Sequence, residues 1–218
     1  MSPDKITYKR YLATARIIGQ IEGGVPKNAE MIKTWLETKG VSKADIYQDT
    51  LAAMGKEEAA DGAEAAQADL TEKNWCGFKC GDRGLYIEAR QIKAAFKEAA
   101  NVCKGMIGLT AARSKLAERV WIRGIDNPEA IWLGTEKPDG TEERVVHAMT
   151  RRGPISSIKR TDYVNAPTLE FELEVLNDGT FTEETLRELL VYMGKNGIGA
   201  NRSQSAGQFE LVSFGAMN

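Results

Sequence analysis

Basic side chains recur at helical spacing between residues 89 and 104. The run ARQIKAAFKEAANVCK places Arg90, Lys93, Lys97 and Lys104 opposite an apolar stripe of the helix that the pattern predicts from about residue 89 to 103. A row of positive charge of this kind suits a phosphate backbone. A solvated helix face produces the same pattern, so both interpretations stay open at this point.

A glycine-rich loop, GIGANRSQSAG, occupies residues 197–207. Gly197 and Gly199 can adopt positive φ and present backbone N–H groups, as phosphate-binding loops do. Arg202, Ser203 and Gln204 add side-chain donors. The loop therefore predicts anion binding, with a purely structural turn as the alternative. It is not a dinucleotide fingerprint, because it lies between a predicted helix and a final strand.

Cysteine and histidine are sparse. Cys76, Cys80, Cys103 and the single His147 could supply four zinc ligands, but their spacing lacks the paired knuckles of structural zinc sites. Buried thiols explain the cysteines better. His147 lies in a strand-like run before a basic loop, and no serine or aspartate partner can be assigned to it. We expect neither a metal nor a cofactor.

The acidic and alanine-rich composition of residues 52–72 sets this segment apart from the rest of the chain. The full sequence has 218 residues, 42% hydrophobic and 28% charged, with a net charge of -2. Any basic surface must therefore be local. No stretch approaches the ~18 apolar residues of a membrane span, and three cysteines fit a reducing compartment. We expect a cytoplasmic protein without membrane contact.

Local periodicity predicts the elements that position these residues. Alternating apolar and acidic residues make 169–176 the clearest strand, and Thr182 is predicted to cap the helix that follows it. The order of elements indicates an α+β, ferredoxin-like fold with an antiparallel sheet and helices on one face. Strands are predicted at 6–18, 85–87, 120–122, 131–133, 144–149, 169–176 and 208–214, and helices at 28–39, after 42, at 89–103 and after 182.

Three segments resemble the RAMP superfamily of CRISPR-associated RNA-binding proteins, most closely the repeating backbone subunits of effector complexes. YIEARQIKAAFK at 86–97 is similar to the family's strand-loop-helix, in which a lysine at the helix start contacts RNA phosphate. IKRTDYVNAPTLEFELEVL at 158–176 resembles the segment entering its central strand. The loop at 197–207 resembles its C-terminal glycine-rich loop. The likeness covers roughly residues 84–214 in order.

The resemblance implies a nucleic-acid-binding role for particular residues. It makes Lys93 a phosphate contact and places a thumb-like hairpin around residues 151–160. It also implies a single RAMP-like domain over 1–218, with a helical and Ala/Glu-rich insertion at about 28–72. The implied contacts are Arg90, Gln91, Lys93 and Lys97 from the helix, Gly197, Gly199, Arg202 and Ser203 from the loop, and Arg151, Arg152, Lys159 and Arg160 from the hairpin.

Two departures from the family pattern bear on activity. Glu88 and Ala89 replace the proline and glycine of the helix-entry run, and Glu22 stands where RNA-cleaving backbone subunits place an aspartate. Target cleavage by that route is therefore not expected. The low net basicity and the Ala/Glu-rich insertion are also unusual, and with these departures they indicate a divergent or stand-alone member, such as one encoded by a phage. The resemblance itself implies a place in antiviral defence.

Three functional hypotheses follow. The leading one is a non-catalytic protein that binds single-stranded RNA, or single-stranded DNA, and associates along it with copies of itself or with other RAMP-like subunits. The second is a metal-independent endoribonuclease that uses His147. The third is a structural or assembly protein, including one of a virus, whose basic residues are solvated.

Overall fold

The computed structural model describes residues 6–27, 75–150 and 153–217, without the side chains of 146–157. These residues fall into two compact units. Of the described residues, the first unit comprises 6–21, 86–134 and 165–217, and the second comprises 22–27, 75–85 and 135–164 without 151–152. Among the described residues, no helix combines the length and the apolar character that crossing a membrane requires.

The described elements alternate between strands and three α-helices. The strands are β1 (Tyr8–Ile17), β2 (Gln20–Glu22), β3 (Val25–Pro26), β4 (Trp75–Gly77), β5 (Lys79–Gly81), β6 (Gly84–Glu88), β7 (Val120–Arg123), β8 (Ala130–Trp132), β9 (Gly140–Thr150), β10 (Gly153–Asn165), β11 (Thr168–Leu176) and β12 (Phe209–Ala216). The helices are α1 (Ala89–Val102), α2 (Ala112–Arg119) and α3 (Glu183–Asn196).

The first unit is built on a four-stranded antiparallel sheet in the order β12-β1-β11-β7. Alternation along β11 buries Leu169, Phe171, Leu173 and Val175 on one face. Their glutamate neighbours point to the other face, because successive side chains of a strand alternate. The period-2 pattern therefore predicted this strand correctly.

Helices cover the buried face of this sheet. In α1, Ile92, Phe96 and Ala99 are fully buried, as their spacing predicted. In α3, the Thr182 hydroxyl accepts a hydrogen bond from the Thr185 N–H, which confirms the predicted cap. Burial of three leucines in α3 anchors that helix to the same core.

The chain path through this sheet is strand, helix, strand, strand, helix, strand: β1, α1, β7, β11, α3 and β12. The central strand β1 pairs with β11 on one side and β12 on the other. The α+β class is confirmed.

The short strand β6 pairs with β8. Helix α2 was not predicted, because its eight residues bury only Ala112 and Leu116.

The second unit is dominated by a long antiparallel hairpin of β9 and β10, which are paired from Gly140↔Tyr163 to Thr150↔Gly153. Strand β10 also pairs in parallel with β4, which in turn pairs with β3. The helices predicted at 28–39 and after 42, and the Ala/Glu-rich segment, lie outside the described residues. The insertion and the single-domain boundary therefore stay predictions.

A buried polar cluster stabilises the second unit. The carboxylate of Asp162 accepts hydrogen bonds from the Trp75 indole at 2.7 Å, the Thr141 hydroxyl at 2.9 Å and the Lys27 ammonium at 3.0 Å. A buried carboxylate requires such partners. A side chain at Gly77 would collide with this carboxylate, so the cluster also fixes the residue type there.

Candidate nucleic-acid interface

Positive charge is concentrated on α1, α2 and the turn between them. Residues 89–119 contain seven basic side chains and two acidic ones. In the part of the chain that the structure describes, four of the seven side chains make no ion pair or hydrogen bond. We call these four the unpaired helix cations: Lys97 on α1, Lys104 in the following turn, and Arg113 and Lys115 on α2.

The unpaired helix cations lie at the surface. Lys104 and Arg113 are exposed, and Lys97 and Lys115 are half-buried. Sequence reasoning identified Lys97, and it noted Lys104 without assigning it to the site. It missed Arg113 and Lys115 because it did not predict α2. The signal for that helix was the run ARSKLAER, whose residues favour helix but carry a weak apolar stripe.

Lys93 makes an unusual set of contacts. Its ammonium donates to the carbonyl oxygens of Leu116 at 2.9 Å and Ala117 at 3.2 Å, and also to that of Val120. These carbonyls end α2, where a positive charge interacts favourably with the helix dipole. Lys93 therefore joins α1 to α2. Burial, reinforced by Lys97, lowers the pKa of Lys93 to about 8.

The neighbours of Lys93 on α1 are also held in place. The Arg90 guanidinium donates to the Glu88 carboxylate, and this hydrogen bond raises the pKa of Arg90. The side-chain oxygen of Gln91 is buried and has no hydrogen-bond partner among the described residues. The structure brings Arg90, Gln91, Lys93 and Lys97 together on α1, as predicted. Their contact with a nucleic acid stays a prediction.

The glycine-rich loop is a tight closed turn. Gly197 and Gly207 have positive φ, and a side chain at Gly207 would collide with the Ile198 carbonyl. The Ile198 N–H donates to the Gly207 carbonyl at 2.9 Å, and the Gly207 N–H donates to the Gln20 carbonyl at 2.9 Å. These glycines therefore serve the turn itself. Gly199 also has a φ of +82°, as the sequence predicted.

An ion pair brings this loop to α1. The Arg202 guanidinium donates to the Glu98 carboxylate at 2.9 Å. Ser203 follows it, exposed, in a short 3-10 turn over Arg202–Gln204. The two predicted contact groups, helix and loop, thus adjoin within the first unit. The same ion pair uses one of the two acidic residues of the α1–α2 stretch.

The predicted hairpin residues belong to the second unit. Lys159 and Arg160 lie half-buried on β10, and the Arg160 guanidinium donates to Glu143 at 2.6 Å. Arg151 and Arg152 fall outside the described residues. His147 is opposite Ser156 in the β9–β10 ladder, and its side chain is likewise not described. The hypothesis of a His147-dependent endoribonuclease therefore stays untested.

Glu22 and two of the three cysteines are buried. Glu22 is 1% exposed and lies 2.9 Å from the guanidinium of Arg144. Cys76 and Cys103 are buried, and burial raises the pKa of both thiols, whereas Cys80 is exposed. The interpretation as buried thiols is confirmed for Cys76 and Cys103 and is wrong for Cys80, whose side chain is exposed on β5. A buried thiol with a raised pKa is a poor nucleophile.

The sheet face opposite the helices has a different electrostatic character. We call it the open sheet face. Its three arginines each contact a glutamate at 2.8 Å: Arg10 with Glu172, Arg16 with Glu210, and Arg123 with Glu174. All three pairs join neighbouring strands, where cross-strand charges of opposite sign stabilise a sheet. The arginines of this face are therefore neutralised within the protein.

Comparison with known proteins finds distant structural similarity without a matching sequence family. No family model matches the chain, and no curated relative does. The chain is similar to a chain in a cryo-EM structure of the Type III-B Cmr-beta bound to cognate target RNA, with 12% identity and a TM-score of 0.48. The match covers 97% of this chain and 61% of the other, so this chain spans about three fifths of that neighbour's length.

Proposed function

We propose that this chain is a single-stranded RNA-binding protein of the RAMP type. Its α1–α2 pair contacts the phosphate backbone, and the glycine-rich loop supports that contact through the Arg202–Glu98 ion pair. The first unit is, on this proposal, a ferredoxin-like domain, which its order of strands and helices supports. The protein binds without cleaving and associates with further copies along the strand.

The observation that carries the proposal is the set of unpaired helix cations. Four like charges on the two helices and the turn between them repel each other and have no acidic partner among the described residues. A polyanion relieves that repulsion and releases its own counterions on binding. The paired arginines of the open sheet face offer no such gain, which supports the helix pair as the phosphate-binding surface.

The environment of Glu22 supports a binding role without target cleavage. An acid that assists cleavage must reach the scissile phosphate or its attacking hydroxyl. Glu22 is instead buried against Arg144. Intact RNA after prolonged incubation with the protein is therefore expected, and cleavage that disappears in His147→Ala would replace this part of the proposal with the endoribonuclease hypothesis.

Fluorescence anisotropy of a labelled oligouridine, titrated at several salt concentrations, tests the proposal. If each unpaired helix cation neutralises one phosphate, affinity falls about fiftyfold over a fourfold rise in salt. Lys97→Gln and Lys104→Gln are expected to flatten this dependence, whereas Arg16→Gln removes the same charge from the open sheet face and leaves it unchanged. Absence of binding at low salt would overturn the proposal in favour of a structural or assembly role.

Self-association is tested separately by size-exclusion chromatography with light scattering. Oligouridines of increasing length are expected to carry increasing numbers of protein copies. A constant ratio of one protein per strand, at saturating protein, would contradict association along the strand and leave the binding proposal intact.

A further inference from the structure

Two aromatic side chains are exposed on the open sheet face. Tyr8 on β1 is 49% exposed and Trp121 on β7 is 37% exposed. Their ring centroids are 5.7 Å apart and their planes are inclined by 75°, so they meet edge to face. The two rings span β11, because Tyr8 is paired with Leu176 and Trp121 with Glu174. An edge-to-face contact leaves at least one ring face uncovered by the partner.

Trp121 also borders a cavity that reaches the basic helix. The cavity has a volume of about 310 Å³, which lies at the lower end of the range for small-molecule sites. Arg90 and Lys93 of α1 line it together with Trp121. Glu88 and Glu129 line it too, Arg90 is paired with Glu88, and the Lys93 ammonium is bound to backbone carbonyls. The exposed aromatic pair therefore adjoins the start of α1, the helix that also carries Lys97.

Other aromatic residues near the predicted site have structural contacts. Phe209 is 4% exposed and belongs to the core. Tyr86 packs against Trp132 with ring centroids 5.3 Å apart, within the β6–β8 pair. Tyr163, in the second unit, lies against Gly140. Phe209 is buried and Tyr86 and Tyr163 are half-buried, whereas Tyr8 and Trp121 are exposed.

We infer that Tyr8 and Trp121 form a base-stacking platform for the strand whose phosphates the helix pair binds. This inference rests on the proposed function and names the groups that contact the bases. The arginines on the same face are neutralised by glutamates, so the platform attracts bases through their faces and does not select a phosphate. Because every base has such a face, stacking adds affinity with little sequence preference.

The test compares an ordinary oligouridine with a strand of the same length that carries abasic ribose residues. Wild-type protein is expected to bind the abasic strand about tenfold more weakly, the scale of losing one or two stacked bases. Trp121→Ala and Tyr8→Ala should each weaken binding of the ordinary strand without weakening that of the abasic strand. Trp121→Phe should recover much of the affinity difference between the ordinary and the abasic strand that Trp121→Ala loses.

The salt dependence separates this inference from the proposed function. Stacking variants should lower affinity equally at all salt concentrations, whereas Lys97→Gln should change the slope. The contrary result is salt-dependent binding in which wild type, Trp121→Ala and Tyr8→Ala each bind the ordinary and the abasic strand with equal affinity. That result would overturn the platform and preserve phosphate binding by the helices. Loss of all binding in wild type would overturn both. Unchanged thermal unfolding of Tyr8→Ala and Trp121→Phe guards against misfolding as the cause.

Discussion

The open sheet face and the α1–α2 pair differ in how their cations are compensated. Each arginine on the sheet face has a glutamate at 2.8 Å, supplied by a neighbouring strand. Lys97 and Lys104 on the helix side have no side-chain partner among the described residues. A chain of net charge -2 can therefore carry a basic surface. Pairing, more than the number of cations, determines which surface attracts a polyanion.

The largest effect is expected from removing the buried side chain that holds α1 against the core, because the surface that carries the unpaired helix cations depends on this packing. Phe96 is fully buried beneath the helix that carries Lys93 and Lys97. Phe96→Ala is expected to lower the free energy of unfolding by about 3–5 kcal/mol, because it leaves a cavity in the core. Urea denaturation followed by circular dichroism measures the change. A loss below about 1 kcal/mol would show that the sheet holds its fold without close packing of α1.

Reversing charge on the helix side should have the next largest effect. Lys97→Glu combined with Lys104→Glu places two negative charges among the remaining cations. We expect oligouridine affinity to fall at least about a hundredfold at low salt, from lost phosphate contacts and new repulsion. Anisotropy titration measures it. Arg16→Glu, on the sheet face, is the single-charge control, and a comparable loss there would mean that binding responds to net charge alone.

Lys93 links stability to pH in an uncommon direction. Burial lowers its pKa in the folded protein to about 8, below the ordinary lysine value near 10.5. Between these values the unfolded chain binds more protons, so this residue makes the free energy of unfolding rise with pH. Relative to Lys93→Met, the wild type should gain stability as pH rises from about 7 to 10. The assignment would be contradicted if the free energies of unfolding of the two proteins changed with pH in the same way across this range.

The origin of the Lys93 shift can be examined in the same residue. Lys97 contributes to the lowering of the Lys93 pKa, after burial. Lys97→Met should therefore raise the titration midpoint of the Lys93 side chain while leaving it below the ordinary value, as followed by carbon NMR. An unchanged midpoint would indicate that burial alone sets the pKa.

The smallest effect is expected at the Arg202–Glu98 pair. Both side chains are substantially exposed, so Arg202→Ala should cost at most about 1 kcal/mol of stability. Double-mutant analysis with Glu98→Ala isolates the pair. A coupling larger than this would show that the ion pair fixes the glycine-rich loop more firmly than its exposure suggests.

Sequence periodicity predicted the elements whose signals are local. Strand β11, helix α1 and the Thr182 cap each depend on residues within one short segment, and the structure confirms them. Long-range pairing left no comparable signal. Arg10 and Glu172 are separated by 162 positions, so their ion pair could not be inferred from spacing. The unpaired state of Lys97 was equally hidden, because it depends on which acids the fold brings near.

At the candidate site, too, local features were predictable from the sequence and long-range contacts were not. Composition and spacing identified α1 and the loop at 197–207, but not their connection through Arg202 and Glu98. They also left Trp121 unassigned, since a tryptophan in a β-like run is equally compatible with the core. Its exposure follows from its orientation toward the open sheet face, since Val120 and Ile122 on the same strand are buried, and the sequence of that strand does not reveal which face is open.

The position of β1 between β11 and β12 has a consequence for synthesis of the protein. On a ribosome, β1 emerges well before its partners, because Thr168–Leu176 and Phe209–Ala216 are translated much later. At typical elongation rates the strand waits roughly ten to forty seconds for β12. Folding is therefore dominated by contacts between distant segments, which slows it. A nascent chain lacking β12 leaves β1 with an open edge, the kind of strand that chaperones must shield from aggregation.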